Sequence, residues 1–500
     1  MPLSQGSTVV LVMAAVLCGA GVAGLVHVTQ PPGGGSHTAL RHHYLQDQGA
    51  KILVLHPIYA GSHELTLRRF GEELVKRGHQ VTQVRWRSSK TREVNSTVEV
   101  ITLSPDNRDL RYPYMQPDGT FHPPTTMLWE RPRHVWQIPT DVFGLIDAHC
   151  LTLLGDRDLA RRLRAANFTL AVVDIIGNEC SLALAHALRL PVVGFWGFSF
   201  QGGERLAPRS PRSQDLLREI EVILVHSHWI IDYPKLMPPH VQYIGCIQCG
   251  PPAPLPPYID RWMSEASTGV VVFSLGFTGY EATSVPTRVM DAFLAAFSRL
   301  QQRVLLRFNP ALLPYVPDNI MVVDWLPQHD VLGHPNTVLF VTHCGQNGIN
   351  EAVYHGVPIV GFPIFADQGD NARRVVDHGL GLVIDKAAIT EELAYTTITA
   401  VLNNSRYRQT ARRFSALWQE ESESGMEKGA RWVEKVHRHG RLTHLRMPGE
   451  HLSLVQYFAL DVAAFLLLVA LALCCLLYAA CCLSYMAFSL IRKKEKEKCQ

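Results

Sequence analysis

Short aliphatic runs alternate with amphipathic stretches from about residue 50 onward. "KILVLHP" reads as an apolar strand, and "HELTLRRFGEELVKRGH" as a helix with Leu65, Leu67, Phe70, Leu74 and Val75 on one side; "QVTQVRW" is the next strand. Strands that are apolar throughout and separated by helices belong to parallel sheets covered on both faces, because the chain needs a crossover helix to return. The order resumes with "LAVVD", "CSLALAHALRL" and "PVVGFW". After the proline run "GPPAPLPP" it starts again, with "TGVVVFSLG", "TRVMDAFLAAFSRL", "QRVLLRF", "IMVVDWL", "VLFVTH", "GINEAVYHG", "VPIVGFP" and "LGLVI". The pattern predicts an α/β protein with two doubly wound, Rossmann-like domains, residues 50–249 and 269–445, joined by a Pro-rich linker at 250–268. A cleft between two such domains is the natural ligand site. Residues 85–140 are polar and proline-rich and carry no regular pattern.

Two longer hydrophobic stretches frame these domains. Val9 to Val28 is rich in small residues and reads as a signal peptide (1–28) cleaved near Ala23 or Gly24, with an uncleaved anchor as the rival because no Lys or Arg precedes it. Residues 462–491 carry no charge and exceed the ~20 residues needed to cross a bilayer. The basic tail at 492–500 then sets a single-pass, type I topology, with the tail cytosolic and the domains lumenal. Lys496 and Lys498 have the spacing of a retrieval signal for the endoplasmic reticulum, or simply stop transfer. Asn95 heads the sequon best placed for glycosylation; those at Asn167 and Asn403 abut regular elements.

Charge adds an exclusion. The tail "RKKEKEKCQ" has five basic and two acidic residues, which accounts for the whole net charge of +3, so no basic surplus remains for nucleic acid. Five of the 11 cysteines lie between the hydrophobic stretches, an odd number that argues against a fold built on disulfides. Cys246-Ile-Gln-Cys249 has redox spacing but precedes prolines instead of opening a helix, which speaks against a thioredoxin role. Asp156-Arg-Asp158 has the spacing of a metal-binding pair and the context of a helix cap.

The densest cluster of chemistry is "THCGQNGINEAVYHG", Thr342 to Gly356, a strand, a glycine-containing loop and a helix. The N–H groups of such a loop and helix start face outward and favour an anion, above all phosphate. It is not a P-loop, since no Gly-Lys-Ser/Thr follows, and a plain tight turn is the competing reading. His343, Asn347 and Glu351, then Asp367 and Gln368 of "ADQGDN" after the next strand, set a polar group around it.

The stretch "WLPQHDVLGHPNTVLFVTHCGQNGINEAVYHGVPIVGFPIFADQGDN" resembles the signature of the UDP-glycosyltransferases, the membrane-bound group that includes the UDP-glucuronosyltransferases. The similarity runs from about Lys51 to the tail. It implies a GT-B fold with a C-terminal transmembrane helix, a UDP-sugar co-substrate on the C-terminal domain and a small lipophilic acceptor on the N-terminal one, with no metal and no cofactor. It further implies that Trp325 stacks on uracil beside Gln328, and that His343, Gly345, Asn347 and Gly348 meet the diphosphate. Glu351 takes the ribose hydroxyls, Asp367 and Gln368 the sugar; Ser274 and Arg307 lie in further donor-site segments. His63 matches the family's general base and Asp174 the carboxylate that orients it, for an inverting transfer of a glucuronosyl or glucosyl group. Without the resemblance His63 is one of 23 histidines, and His56, "RHHY" and "HSHW" read as surface or core histidines. The group is membrane-bound in the endoplasmic reticulum; homo-oligomerisation stays open.

Two departures bear on activity. Cys344 stands where the family has glycine; if that site takes a positive φ, a side chain there costs about 1–2 kcal/mol. Phe277 replaces a hydroxyl in "SLGF". A catalytically weak or inactive UDP-sugar- or lipophile-binding homologue, or a partner subunit, is therefore the alternative. A nicotinamide oxidoreductase is disfavoured, because no GxGxxG opens either domain.

Overall fold

Seven strands form the first sheet: β1 (Lys51–His56), β2 (Gln80–Trp86), β3 (Glu99–Leu103), β4 (Leu170–Asp174), β5 (Val192–Trp196), β6 (Ile220–Val225) and β7 (Val241–Tyr243). Their order is β3-β2-β1-β4-β5-β6-β7, every pairing parallel. Six more form the second: β8 (Val270–Ser274), β9 (Arg303–Arg307), β10 (Ile320–Val323), β11 (Thr337–Thr342), β12 (Ile359–Gly361) and β13 (Gly381–Val383). These run β10-β9-β8-β11-β12-β13, again all parallel. The computed structural model describes residues 49–56, 61–86, 96–103, 150–197, 211–276, 285–446 and 452–498, which fall in one compact unit, Gly49–Gln500. The expected signal peptide, Asn95, Phe277, most of 85–140 and the tail residues Cys499 and Gln500 lie outside the described residues.

Crossover helices cover both faces. In the first half they are α1 (Gly61–Lys76), α2 (Arg157–Ala165), α3 (Glu179–Ala187) and α4 (Pro211–Arg218). The second half has α5 (Pro257–Ser264), α6 (Thr287–Ser298), α7 (Gln328–Leu332), α8 (Gln346–Tyr354), α9 (Gln368–Asp377), α10 (Glu391–Asn403) and α11 (Ser405–Gln419). Then come α12 (Gly425–His439), α13 (Leu454–Tyr457) and α14 (Leu460–Lys498). Side chains alternate across a strand, so β1 feeds two cores: Ile52 and Val54 pack with Phe70 and Leu74, Leu53 and Leu55 with Leu159 and Leu163. In β8, Val271 and Phe273 pack with Phe293 and Phe297, Val270 and Val272 with Ile349 and Val353.

In each sheet the strand order reverses at one place, between β1 and β4 and between β8 and β11. Diverging connections leave a crevice at the carboxyl ends of such strands. His56 and Asp174 end β1 and β4; Ser274 and Thr342 end β8 and β11. Topology alone thus delivers four polar residues to two crevices.

Packing departs from the sequence-based boundaries at two points. The expected linker, 250–268, contains α5, whose Ile259 and Met263 are buried in the second core. Residues 425–445, expected in the second domain, pack on the first sheet instead: Ala430, Val433, Val436 and Leu442 join Ile52, Val54 and Phe70. Glu221 at the first sheet also accepts from Leu442 N at 2.8 Å and from Arg446 at 3.2 Å. The chain therefore crosses between the two halves twice.

Asp156 caps α2, its carboxylate accepting from the N–H groups of Asp158 and Leu159. Disulfides join Cys150 to Cys180 and Cys246 to Cys249, leaving Cys344 as the buried free thiol among the five. Residues 460–492 of α14 are the one helix among the described residues long and apolar enough to cross a membrane, and its apolar surface is fully exposed.

Candidate active site

His63 lies in the first turn of α1 and faces inward, with Nδ1 2.8 Å from Asp174 Oδ2. Gly197 makes room for the ring, since a Cβ there would stand 2.5 Å from His63 Cε1. Asp174 is fully buried, and its other oxygen accepts from Ile176 N at 3.2 Å. Burial would push this carboxyl up, but His63 and His56 outweigh that and hold it far below the usual carboxylate range. For His63 burial would lower the pKa, and the Asp174 charge and hydrogen bond, with Asp367 behind them, raise it above its ordinary value instead. Because His63 Nδ1–H donates to Asp174, base chemistry falls to Nε2.

Of the histidines read from sequence as surface or core, His56, His226 and His228 gather here or at the interface between the halves, while "RHHY" lies outside the described residues. His56 is buried, its ring stacked on His63 with centroids 6.2 Å apart. Its Nδ1 is 3.2 Å from Asp174 Oδ2 but off the line a hydrogen bond needs. His226 packs edge-on against Phe195 and stays neutral, burial depressing its pKa to about 3. His228 stacks on Trp418 and meets Glu421 at 3.0 Å.

Across the cleft, the β11–α8 turn is built around His343. Cβ atoms at Gly276 and Gly345 would come within 2.3 and 2.4 Å of its ring, so both positions require glycine. A ring N–H bonds the Ser274 main chain, and burial first, then Arg307, lowers His343 to about 4, so the ring is neutral. Gly345 opens α8 with no side-chain cap, leaving the first N–H groups for another acceptor. Gly348 brings α8 close to Phe340 of β11. Cys344 adopts φ +64°, the left-handed conformation that favours glycine, with its thiol buried against Gly361.

Glu351, one turn further along α8, is buried and held by two amides: Gln328 Nε2 at 2.7 Å and Gln248 Nε2 at 3.2 Å. Burial raises its pKa and these hydrogen bonds oppose the rise. Trp325 is half-exposed, with the Arg307 guanidinium 5.8 Å from its ring centre; Arg307 also donates to Gly276 O at 2.5 Å. Burial lifts Asp367 to about 6, against a hydrogen bond from Asn371 (2.6 Å) and the charges of Arg374 and His63. Gln368 spends its carbonyl on Ile364 N and Phe365 N, which leaves its amide N–H groups for other work. Asn347 Nδ2 reaches Thr66 of α1 at 3.3 Å, joining the turn to the helix that carries His63.

Of the thirteen residues singled out in the sequence, the structure pairs His63 with Asp174, Ser274 with His343, Gln328 with Glu351 and Arg307 with Trp325, and it adds others. Asn371 also donates to Cys344 O at 2.9 Å, tying Asp367 to the β11–α8 turn. Arg374 bonds Asn371 and, at 3.1 Å, Asp232 from the first half. Four residues separate Asp367 from Asn371, one helical turn, a spacing that could have flagged the pair. Nothing local marks Gln248, whose partner lies 103 positions away.

A buried His–Asp dyad facing an uncapped helix start and a row of acceptors, each at the switch point of a doubly wound sheet, defines a two-domain, nucleotide-type transferase architecture. Solved structures show the same fold, GT-B. The UDP-glucose:anthocyanidin 3-O-glucosyltransferase in complex with UDP superimposes with a TM-score of 0.58 at 17% identity, over 78% of this chain and 99% of that one. The calicheamicin glycosyltransferase gives 0.56 at 18% identity, with the same coverage. The chain belongs to the UDP-glucoronosyl and UDP-glucosyl transferase family, whose model matches residues 50–205 and 204–497, and it is a UDP-glycosyltransferase. UDP-glucuronosyltransferase 2B1 of Rattus norvegicus is 27% identical over 480 residues, 83% of this chain and 90% of the relative. UDP-glucuronosyltransferase 1A9 of Homo sapiens is 29% identical over 484 residues, 84% and 88% of the two chains.

Proposed function

We propose that the enzyme moves a glucuronosyl or glucosyl group from its UDP-sugar to a hydroxyl of a small lipophilic acceptor, with inversion and with His63 as general base. The His63–Asp174 dyad carries this reading: it is a buried, hydrogen-bonded imidazole–carboxylate pair at the crevice of the first sheet, and Asp367 of the second half is near enough to act on it electrostatically. His63 Nε2 takes the proton of the acceptor hydroxyl, whose oxygen attacks the anomeric carbon. The bond from that carbon to the diphosphate oxygen breaks and UDP leaves with the electron pair. Asp174 stabilises the imidazolium formed, as in hydrolase triads. The N–H groups opening α8, beside neutral His343, suit the diphosphate and its growing charge. Glu351 accepts from ribose, Trp325 offers its ring to uracil beside Gln328, and Asp367 with the Gln368 amide takes sugar hydroxyls.

Residues 460–492 anchor the chain, and the basic residues after them favour a cytosolic tail with both domains in the lumen of the endoplasmic reticulum. The test is incubation of the membrane-bound enzyme with UDP-glucuronate or UDP-glucose and a simple phenol, with the product's anomeric configuration read by NMR. A β-glycoside is expected from the α-linked donor. An α-glycoside overturns single displacement, and no product from either donor favours the inactive homologue.

A further inference from the structure

The Cys246–Cys249 pair is a motif of the sequence that the transfer reaction leaves unused. In the fold it follows β7, where the chain leaves the first half, and both cysteines are buried. They join the core that holds Val331 and Leu332 of α7 and Ile349 and Val353 of α8, the helices that carry Gln328 and Glu351. The disulfide closes a four-residue loop whose polar member, Gln248, points at Glu351: Gln248 Nε2 donates to Glu351 Oε1 at 3.2 Å, while Gln328 Nε2 holds the other oxygen at 2.7 Å. Beyond the loop the backbone is pinned to the same helix, Gly250 N donating to His329 Nε2 at 3.2 Å and Ala253 N to Asp330 at 2.8 Å.

Gln248 achieves this at a cost. Its Oε1 is buried with no partner among the described residues. A buried unpaired carbonyl typically loses about 1–3 kcal/mol, so the loop geometry holds the amide where packing alone gives it no reason to stay. A carboxylate accepts and does not donate, which fixes the amide orientation with Nε2 toward Glu351.

We propose that Gln248 is a positioning residue of the donor site, set in place by the Cys246–Cys249 disulfide, and that it keeps Glu351 ionised and aimed at the nucleotide ribose. This rests on the reading of Glu351 as the ribose acceptor. A free carboxylate on a helix has several rotamers; clamped by one amide on each oxygen, it presents its remaining lone pairs in one direction. Opening the disulfide takes two electrons and two protons from an external dithiol, which itself becomes a disulfide. Gln248 is then released from its closed loop, and Glu351 loses one of its two clamps.

The experiment is calorimetric titration of UDP into the full-length enzyme in detergent, alongside donor kinetics. Gln248→Met, of the same length but unable to hydrogen-bond, is expected to weaken UDP about 3- to 10-fold. Donor KM should rise with it, while kcat and acceptor KM hold. Gln248→Asn, polar but one methylene too short, should give the same loss in a protein whose folding is less at risk. In a Glu351→Ala background neither change should weaken UDP further, because Gln248 acts through that carboxylate. Dithiothreitol should weaken UDP binding to the wild-type enzyme and do nothing to Cys246→Ser/Cys249→Ser, even though Cys150–Cys180 is reduced in both. Unchanged UDP affinity in Gln248→Met and Gln248→Asn overturns the proposal while leaving the donor site standing, as does an undiminished effect in the Glu351→Ala background. No response of the wild type to dithiothreitol overturns the role of the disulfide. A wild-type enzyme that does not bind UDP overturns the donor reading and this inference together.

Discussion

Asp367 shows at the scale of one residue what the site costs the fold. Its ordinary pKa of 3.8 becomes about 6 because burial disfavours the charged form more than Asn371, Arg374 and His63 favour it. The sign follows from linkage: a folded pKa above the unfolded one gives stability that is full below 3.8 and lost as pH rises through about 6. Asp367→Asn keeps the bond with Asn371 and escapes that loss. Its melting temperature should match wild type near pH 4 and exceed it at pH 8, by the equivalent of about 3 kcal/mol. A gap of the same size at both pH values contradicts this account of Asp367. A carboxylate kept ionised against stability is what a sugar-binding role demands, and the same variant should lose donor affinity. His63 and Asp174, by contrast, stabilise each other, so the first crevice carries less strain than the second.

Single elements divide into those legible in the sequence and those that only packing explains. Ten of the thirteen described strands were legible, because fully covered parallel strands are unbroken apolar runs, and so was the turn between β11 and α8, through its glycines and polar residues; β3, inside the polar segment 85–140, and β6 and β7 were not. Whether Cys344 sits at positive φ was left open by the sequence, and the fold answers it, at +64°. Two effects oppose each other there: Cys344→Gly relieves about 1–2 kcal/mol of backbone strain but empties the space its thiol fills against Gly361. Thermal unfolding should therefore change by less than about 1 kcal/mol, with UDP affinity equal or tighter; a large loss of either would assign the thiol a role of its own. α12 was not legible as part of the first half. Its apolar stripe announces a buried face but not the surface it meets, and a sequence position late in the chain suggested the wrong sheet. The same limit hid Gln248 and Arg374, whose partners are brought to them only by the tertiary fold.

At the scale of the molecule, polar contacts tie the two halves to each other. The polar network between them runs from Ser227 and Asp232 of the first half to Gln346, Asn371 and Arg374 of the second. Asp232 and Arg374 are both buried, so Arg374→Ala strands a charge and should cost about 3–5 kcal/mol of unfolding free energy. Asp232→Leu/Arg374→Met removes both charges and should be markedly milder than either single change; equal damage would mean the pair does not couple the halves. The network also ties Asp367, through Asn371, to the turn that faces His63, and α1 meets that turn directly through Thr66 and Asn347. The proposed base and the proposed donor loop thus belong to one connected framework, although 280 positions separate His63 from His343. Their cooperation is tested most directly by the rate of sugar transfer in His63→Ala at saturating UDP-sugar and acceptor, against wild type. The rate should fall by about 10²–10⁴-fold, the usual contribution of a general base, with UDP affinity unchanged. Turnover close to wild type would remove His63 from the mechanism and the dyad from the centre of this account.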